Sequence, residues 1–114
     1  MIIYDMETRQ GETFRQMIRL VDISGNVIDL SGKTAKAQVR VTPKATALIA
    51  EMSTSLSVAK GTITFSLSAA QTANIPVGHY AYDVCTYETV SGVVNVRYYI
   101  GGKFEVRPSV TEVV

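Results

Sequence analysis

The stretch Leu67-Ser68-Ala69-Ala70-Gln71-Thr72-Ala73-Asn74-Ile75-Pro76-Val77-Gly78-His79-Tyr80-Ala81-Tyr82-Asp83-Val84 decides the fold. It begins at the end of an alternating segment in which Ile63, Phe65 and Leu67 are interleaved with Thr62, Thr64, Ser66 and Ser68. That period of two predicts a strand with one buried face and one hydroxyl-rich face. Ser68 and Gln71 have the spacing of a capping box, in which a serine side chain and a glutamine side chain satisfy each other's free backbone N–H groups. They predict a helix of one or two turns over 69–74, too short to form a layer. Pro76-Val77-Gly78 turns the chain back, and from His79 to Glu88 the side chains of Tyr80, Tyr82 and Val84 share a face. Strand, capped turn and strand predict an all-β chain.

Working outward, the same alternation recurs. Over 13–22, Phe14, Ile18 and Leu20 share a face broken by Gln16, with Arg15 and Arg19 opposite. Ser24-Gly25-Asn26 is a turn cluster, and Val27 to Leu30 reads as a short strand closed by Ser31-Gly32. Over 34–42, Ala35, Ala37, Val39 and Val41 alternate with Lys36, Gln38 and Arg40, the pattern of a half-buried strand. Pro43 stops it. Leu48, Ala50 and Met52 mark a short strand, and Leu56 and Val58 are weakly patterned. Ser91-Gly92 predicts a hairpin, after which Val94, Val96, Tyr98 and Ile100 form the expected inward set. Gly101-Gly102 suggests a bulge or a crossing between sheets. Phe104 and Val106 resume the alternation until Pro108.

About seven or eight short strands with turn signals every 8–12 residues predict a single antiparallel β-sandwich or small barrel. The expected organisation is an N-terminal arm or edge strand over 1–10, the sandwich over 11–108, and a C-terminal tail over 109–114.

Composition narrows the function. The 114 residues carry 11 basic and 10 acidic side chains, a formal charge of +1 that argues against non-specific nucleic-acid binding. No run approaches the ~20 apolar residues of a membrane span, and Met1 to Asp5 lacks the charged start of a signal peptide, so no membrane association and synthesis in a cytoplasm are expected. Cys85 is the only cysteine, which excludes an internal disulfide and a multi-cysteine metal site and fits a semi-buried thiol.

Catalytic equipment is sparse. His79 is the only histidine that could serve a nucleophile as base. Gly101-Gly102 lacks the lysine–serine pair and helix of a phosphate loop. No carboxylates have calcium-loop spacing. Asp29 and Asp83 sit among apolar neighbours and suit turn or structural hydrogen bonds. The expectation is no enzyme, no cofactor and no metal.

Gly78, Tyr80 and Tyr82 resemble the tyrosine corner of immunoglobulin-type sandwiches, in which a tyrosine just inside a strand bonds back across the preceding connection, with Tyr80 as the corner residue. Tyr82 stands where antibody domains place a disulfide cysteine, so the likeness is to a form without the staple.

Across the whole chain, Gln10-Gly11-Glu12-Thr13-Phe14, Gly25-x-x-Ile28-Asp29-Leu30-Ser31-Gly32, Ala37-Gln38-Val39-Arg40, Gly61-x-Ile63-x-Phe65-x-Leu67-Ser68-x-x-Gln71-Thr72 and Gly78-x-Tyr80-x-Tyr82-Asp83-Val84 resemble, in order and spacing, small immunoglobulin-like structural proteins of tailed bacteriophages. The resemblance implies a multi-copy virion part, a capsid decoration or a tail- or neck-associated protein. Its expected partners are other virion structural proteins and further copies of itself.

Arg15, Arg19, Lys36 and Arg40 form a basic row if their strands neighbour each other, with Met17 and Val21 adding apolar contact on the first strand. Tyr87 and Tyr99, opposite the expected inward set, are candidate exposed anchors, because tyrosine and arginine are enriched at interfaces. The termini are further candidates for pairing with a neighbour's sheet edge. The other reading is a receptor- or glycan-binding module, weakened by the lack of tryptophan.

Overall fold

The computed structural model describes all 114 residues. The chain is all-β: eight strands and one short helix, in the order β1 (Ile2–Ile3), β2 (Met6–Arg9), β3 (Phe14–Arg19), β4 (Thr34–Arg40), β5 (Leu48–Ser57), β6 (Thr62–Leu67), α1 (Ala69–Ala73), β7 (Gly78–Val90) and β8 (Val93–Arg107). The strands form one curled, mixed sheet ordered β1-β8-β7-β4-β5-β6-β3, with β2 following β1 along the edge of β8. Both N-terminal strands run parallel to β8, and every other pairing is antiparallel.

The curl is made by β5. Its first half pairs with β4, from Ala37 opposite Met52 to Arg40 opposite Leu48, and its second half pairs with β6, from Ser53 opposite Ser66 to Ser57 opposite Thr62. Where β5 leaves β4, the Thr54 hydroxyl donates to the Ala35 carbonyl at 3.1 Å, replacing a ladder bond the bend has removed. The bend brings β3 over β8, although the two lie far apart in strand order. The Phe14 ring then meets Phe104 edge-on with centroids 5.1 Å apart, and Phe65 and Tyr82 complete an aromatic centre. Ala37, Val39, Ile63, Leu67, Val84 and Val106 are fully buried around it.

The capping box forms as its spacing predicts. Gln71 N–H donates to Ser68 Oγ at 3.1 Å, and Ser68 N–H donates to Gln71 Oε1 at 2.9 Å. The buried Thr72 hydroxyl accepts from Gly11 N–H at 3.1 Å and donates to the Glu12 carbonyl at 2.8 Å, which ties α1 to the turn ahead of β3. At the start of β7 the Tyr80 hydroxyl donates to the Pro76 carbonyl at 2.5 Å. Replacing Tyr80 by Phe is expected to cost about 1 kcal/mol, the net worth of one hydrogen bond. Urea unfolding at an unchanged slope checks it; no shift in midpoint would show that the bond adds nothing.

Four expectations are corrected. Val27 to Leu30 is not a strand, because Asp22 Oδ1 accepts from Ser24 and Asn26 N–H and closes a loop that leaves only an isolated Val21–Val27 bridge. Leu48 to Ser57 is one long strand rather than a short strand and a weak remainder, since its two halves serve different neighbours. The bulge lies at Tyr99 and not at Gly101-Gly102: Val84 faces Ile100 and Cys85 faces Tyr98, leaving Tyr99 as the extra residue. The bulge reverses the alternation, so Val94, Val96 and Tyr98 point outward, 50–58% exposed, while Tyr99 is buried.

The glycine pair serves a different purpose. A Cβ on Gly102 would stand 2.6 Å from Asp5 Oδ1 and 3.0 Å from the Tyr4 carbonyl oxygen, where the chain passes between β1 and β2. Close approach of the N-terminal segment therefore requires the glycine.

Candidate functional site

The expected basic row does not assemble. Arg15, Met17 and Arg19 are exposed on β3, which pairs only with β6 at one end of the sheet, whereas Lys36 and Arg40 lie on β4 between β5 and β7. Strands that follow each other in sequence are here separated by two others. Lys36 lies 3.9 Å from Glu51. Arg40 donates to the Ala45 and Thr46 carbonyls and to Gln38 Oε1, so its guanidinium clamps the loop after β4.

The tyrosine candidates also divide. Tyr87 is half-buried on the outer face of β7, opposite Val96. Tyr99 is not an exposed anchor: its hydroxyl shares a buried 2.9 Å hydrogen bond with Thr86, and the Arg97 guanidinium lies 5.8 Å from its ring centre. Tyr98 takes the exposed place that Tyr99 was expected to hold. Only the bulge signals this, and a period-two reading of the strand does not contain it.

What the fold gathers instead is an outer face on β8, β7 and β4. Val94, Val96 and Tyr98 stand beside Tyr87 and Cys85, and the N-terminal Met1 covers Gly101, its sulfur 3.0 Å from the site a Cβ would occupy there. Alongside lies a shallow basin of about 680 Å³ whose walls include Gln38, Arg40, His79, Tyr82, Asp83 and Tyr98. Burial raises the Asp83 carboxyl above its ordinary pKa, with Arg40 opposing. Burial and then the Asp83 charge raise the Cys85 thiol, which disfavours the reactive thiolate.

His79 is exposed and sits 3.5 Å from Glu105, its cross-strand partner. No three His, Cys, Asp or Glu side chains converge as a metal site would require. Asp29 accepts from the Ser31 N–H and hydroxyl at 2.9 and 2.6 Å; these bonds lower its pKa and make it a turn residue. No helix is long and apolar enough to cross a membrane.

The Tyr82 hydroxyl donates to the Tyr4 carbonyl and tethers the N-terminal segment. Burial, then the negative charge of Asp5, pushes the Tyr82 pKa up to about 12. An unfolded tyrosine ionises near 10, so between pH 10 and 12 the unfolded chain loses a proton that the folded chain keeps, and stability falls as pH rises. The expected loss is about 1–2 kcal/mol after solvent screening. Urea unfolding at pH 9 and 11.5 measures it, and Tyr82→Phe is expected to flatten the slope. An equal slope in the variant would assign the loss to other groups.

These features define an all-β chain with an apolar outer face. No protein-family model and no curated protein matches the chain. Among solved structures, a family 123 glycoside hydrolase from Clostridium perfringens is similar over 95% of this chain at 12% identity, with a TM-score of 0.41. This chain spans 23% of that enzyme's length.

Proposed function

We propose that this chain is a non-enzymatic virion structural protein of a tailed bacteriophage, a capsid decoration or a tail- or neck-associated part that binds other virion proteins in many copies. The observation that carries the reading is the β7–β8 hairpin. It extends beyond the rest of the sheet and bares Val90, Val93, Val94, Val96 and Tyr98, an apolar concentration of the kind that marks protein-binding surfaces.

The finer fold in this reading is an immunoglobulin-like sandwich. What supports it is the division of the strands into β3-β6-β5 and β4-β7-β8 groups joined through β5, the parallel N-terminal strand along β8, and the Tyr80–Pro76 corner bond. The order and spacing of the turn and strand signals support the phage assignment.

Mass spectrometry of intact, purified virions is expected to find the chain in multiple copies per particle. Particles that infect normally but lack it would end the reading. Arg15→Glu with Arg19→Glu is expected to reduce incorporation if β3 docks on an acidic virion surface; normal incorporation would confine docking to the hairpin face.

The basin gives a second reading, as a glycan-binding module on a receptor-recognition protein. It offers one exposed aromatic ring, Tyr98, beside the polar groups of Gln38, Arg40 and Asp83. Glycan-array binding that is lost in Tyr98→Ala would favour it over assembly.

A further inference from the structure

We infer that the free edge of β8 over Val93 to Tyr98 is a homodimer seam, at which a second copy of this chain adds its own β8 antiparallel and extends the sheet across a two-fold axis near Asn95. The inference names one partner within the assembly reading but stands on the geometry of this edge.

The edge is open by construction. β7 covers one side of β8 along its whole length, whereas on the other side β1 begins only at Ile100 and β2 continues to Arg107. The hairpin closes through Ser91 and Gly92, both at positive φ (51° and 79°), directly between the paired Val90 and Val93. In a hairpin of this type the pair flanking the turn exchanges hydrogen bonds and the next pair does not. Val93, Asn95 and Arg97 therefore direct their backbone groups at β7. Val94, Val96 and Tyr98 direct theirs at the vacant side.

Nothing blunts this edge. Proline, lysine and internal bulges, which keep free edges from pairing, are absent from Val93 to Tyr98. Its single charge, Arg97, stacks over Tyr99. The opposite end of the sheet is different, because β3 carries exposed Arg15 and Arg19 along its free side.

A second copy is the occupant that fits. With the axis at Asn95, Val94 faces Val96, Val93 faces Arg97, and Asn95 faces its own counterpart, so no like charges meet and the Asn95 amides are matched as donor and acceptor. The outward-directed groups of Val94 and Val96 fall opposite one another and can exchange hydrogen bonds. The pairing ends with Tyr98 opposite Gly92, short of Ile100, where β1 takes over the edge. Val94, Val96 and Tyr98 of both copies then form one apolar patch on the outer face.

Sedimentation velocity of the full chain from about 1 to 100 µM is expected to show a dimer. The double variant Val94→Lys, Val96→Lys is expected to be monomeric, with the thermal midpoint that the wild type shows at concentrations too low to dimerise, because both side chains are exposed. In a Cys85→Ser background, Asn95→Cys is expected to form an intermolecular disulfide, since facing residues without ladder bonds hold their Cβ atoms within disulfide reach. Thr89→Cys, one strand further from the axis, is expected not to.

A wild-type chain that stays monomeric throughout would overturn the seam. So would a dimer that survives both lysines or fails to cross-link through Asn95→Cys. A dimer formed by a chain absent from virions would retain the seam and remove the virion role, so the two failures are distinguishable.

Discussion

Replacing Phe104 by alanine is expected to remove about 3–5 kcal/mol of stability, the range for truncating a buried phenylalanine. Phe104 is fully buried and meets Phe14 edge-on at 5.1 Å and Tyr82 at 6.4 Å. The Phe14 contact joins strands from opposite halves of the sheet order, so the lost volume lies where the curl closes. Neighbours held by the β8 ladder cannot collapse freely into the space, and a cavity term adds to the lost transfer energy. Against a total of about 5–15 kcal/mol, this is a large fraction. The urea midpoint is expected to fall by about 2 M at an unchanged slope. Phe104→Leu, which keeps most of the volume, is expected to cost roughly 1.5 kcal/mol or a little more. Equal losses for the two variants would place the stability in aromatic geometry rather than in packing volume.

The second large effect is expected from Gly102→Val. The first carbon of the new side chain would stand 2.6 Å from Asp5 Oδ1 and 3.0 Å from the Tyr4 carbonyl oxygen. The carboxylate can swing away, but the backbone oxygen moves only if the N-terminal segment moves. That movement breaks the Tyr4 N–H bond to the Gly101 carbonyl, the Lys103 N–H bond to Asp5, and the Tyr82 tether. The expected outcome is release of residues 1–9 from β8 at a cost of about 2–4 kcal/mol, within the range for backbone clashes at special positions. Amide exchange in β1 and β2 is expected to rise about 100-fold while the centres of β4 and β6 keep their protection. Uniform loss of protection would show that the N-terminal strands fold with the core as one unit. Release would also lengthen the open edge of β8, so the same variant probes how far the edge must be covered for the chain to remain soluble.

The two effects differ in how they could be read from the residues. Phe104 follows from the alternation with Val106 near the C-terminus, which marks an inward face without naming its partner. Gly102 stands out only as a glycine in a strand pattern. The bulge lies at Tyr99 instead, and the constraint on Gly102 comes from Tyr4 and Asp5, nearly a hundred residues earlier in sequence. The candidate interface shows the same division. Arg15 and Arg19 were identifiable as exposed because their own strand sets their side. That they do not join Lys36 and Arg40 follows from a strand order in which β5 and β6 intervene. The exchanged roles of Tyr98 and Tyr99 depend on one unpaired residue, and a bulge changes the phase of alternation without a distinctive residue to announce it.

By itself, the sequence determined what neighbouring residues can enforce: an all-β chain, the faces of β4 and β6, the Ser68–Gln71 cap, the Ser91-Gly92 turn and the corner position of Tyr80. Side-chain period, hydrogen bonding over three residues and turn conformation are local, and they were legible in Leu67 to Val84. The tertiary structure decided which strands pair, where β5 bends, how the N-terminal segment presses on Gly102, and which stretch of β8 stays open. Pairing partner and register are set by contacts between residues distant in the chain, whose free energies depend on the packing of the whole sheet.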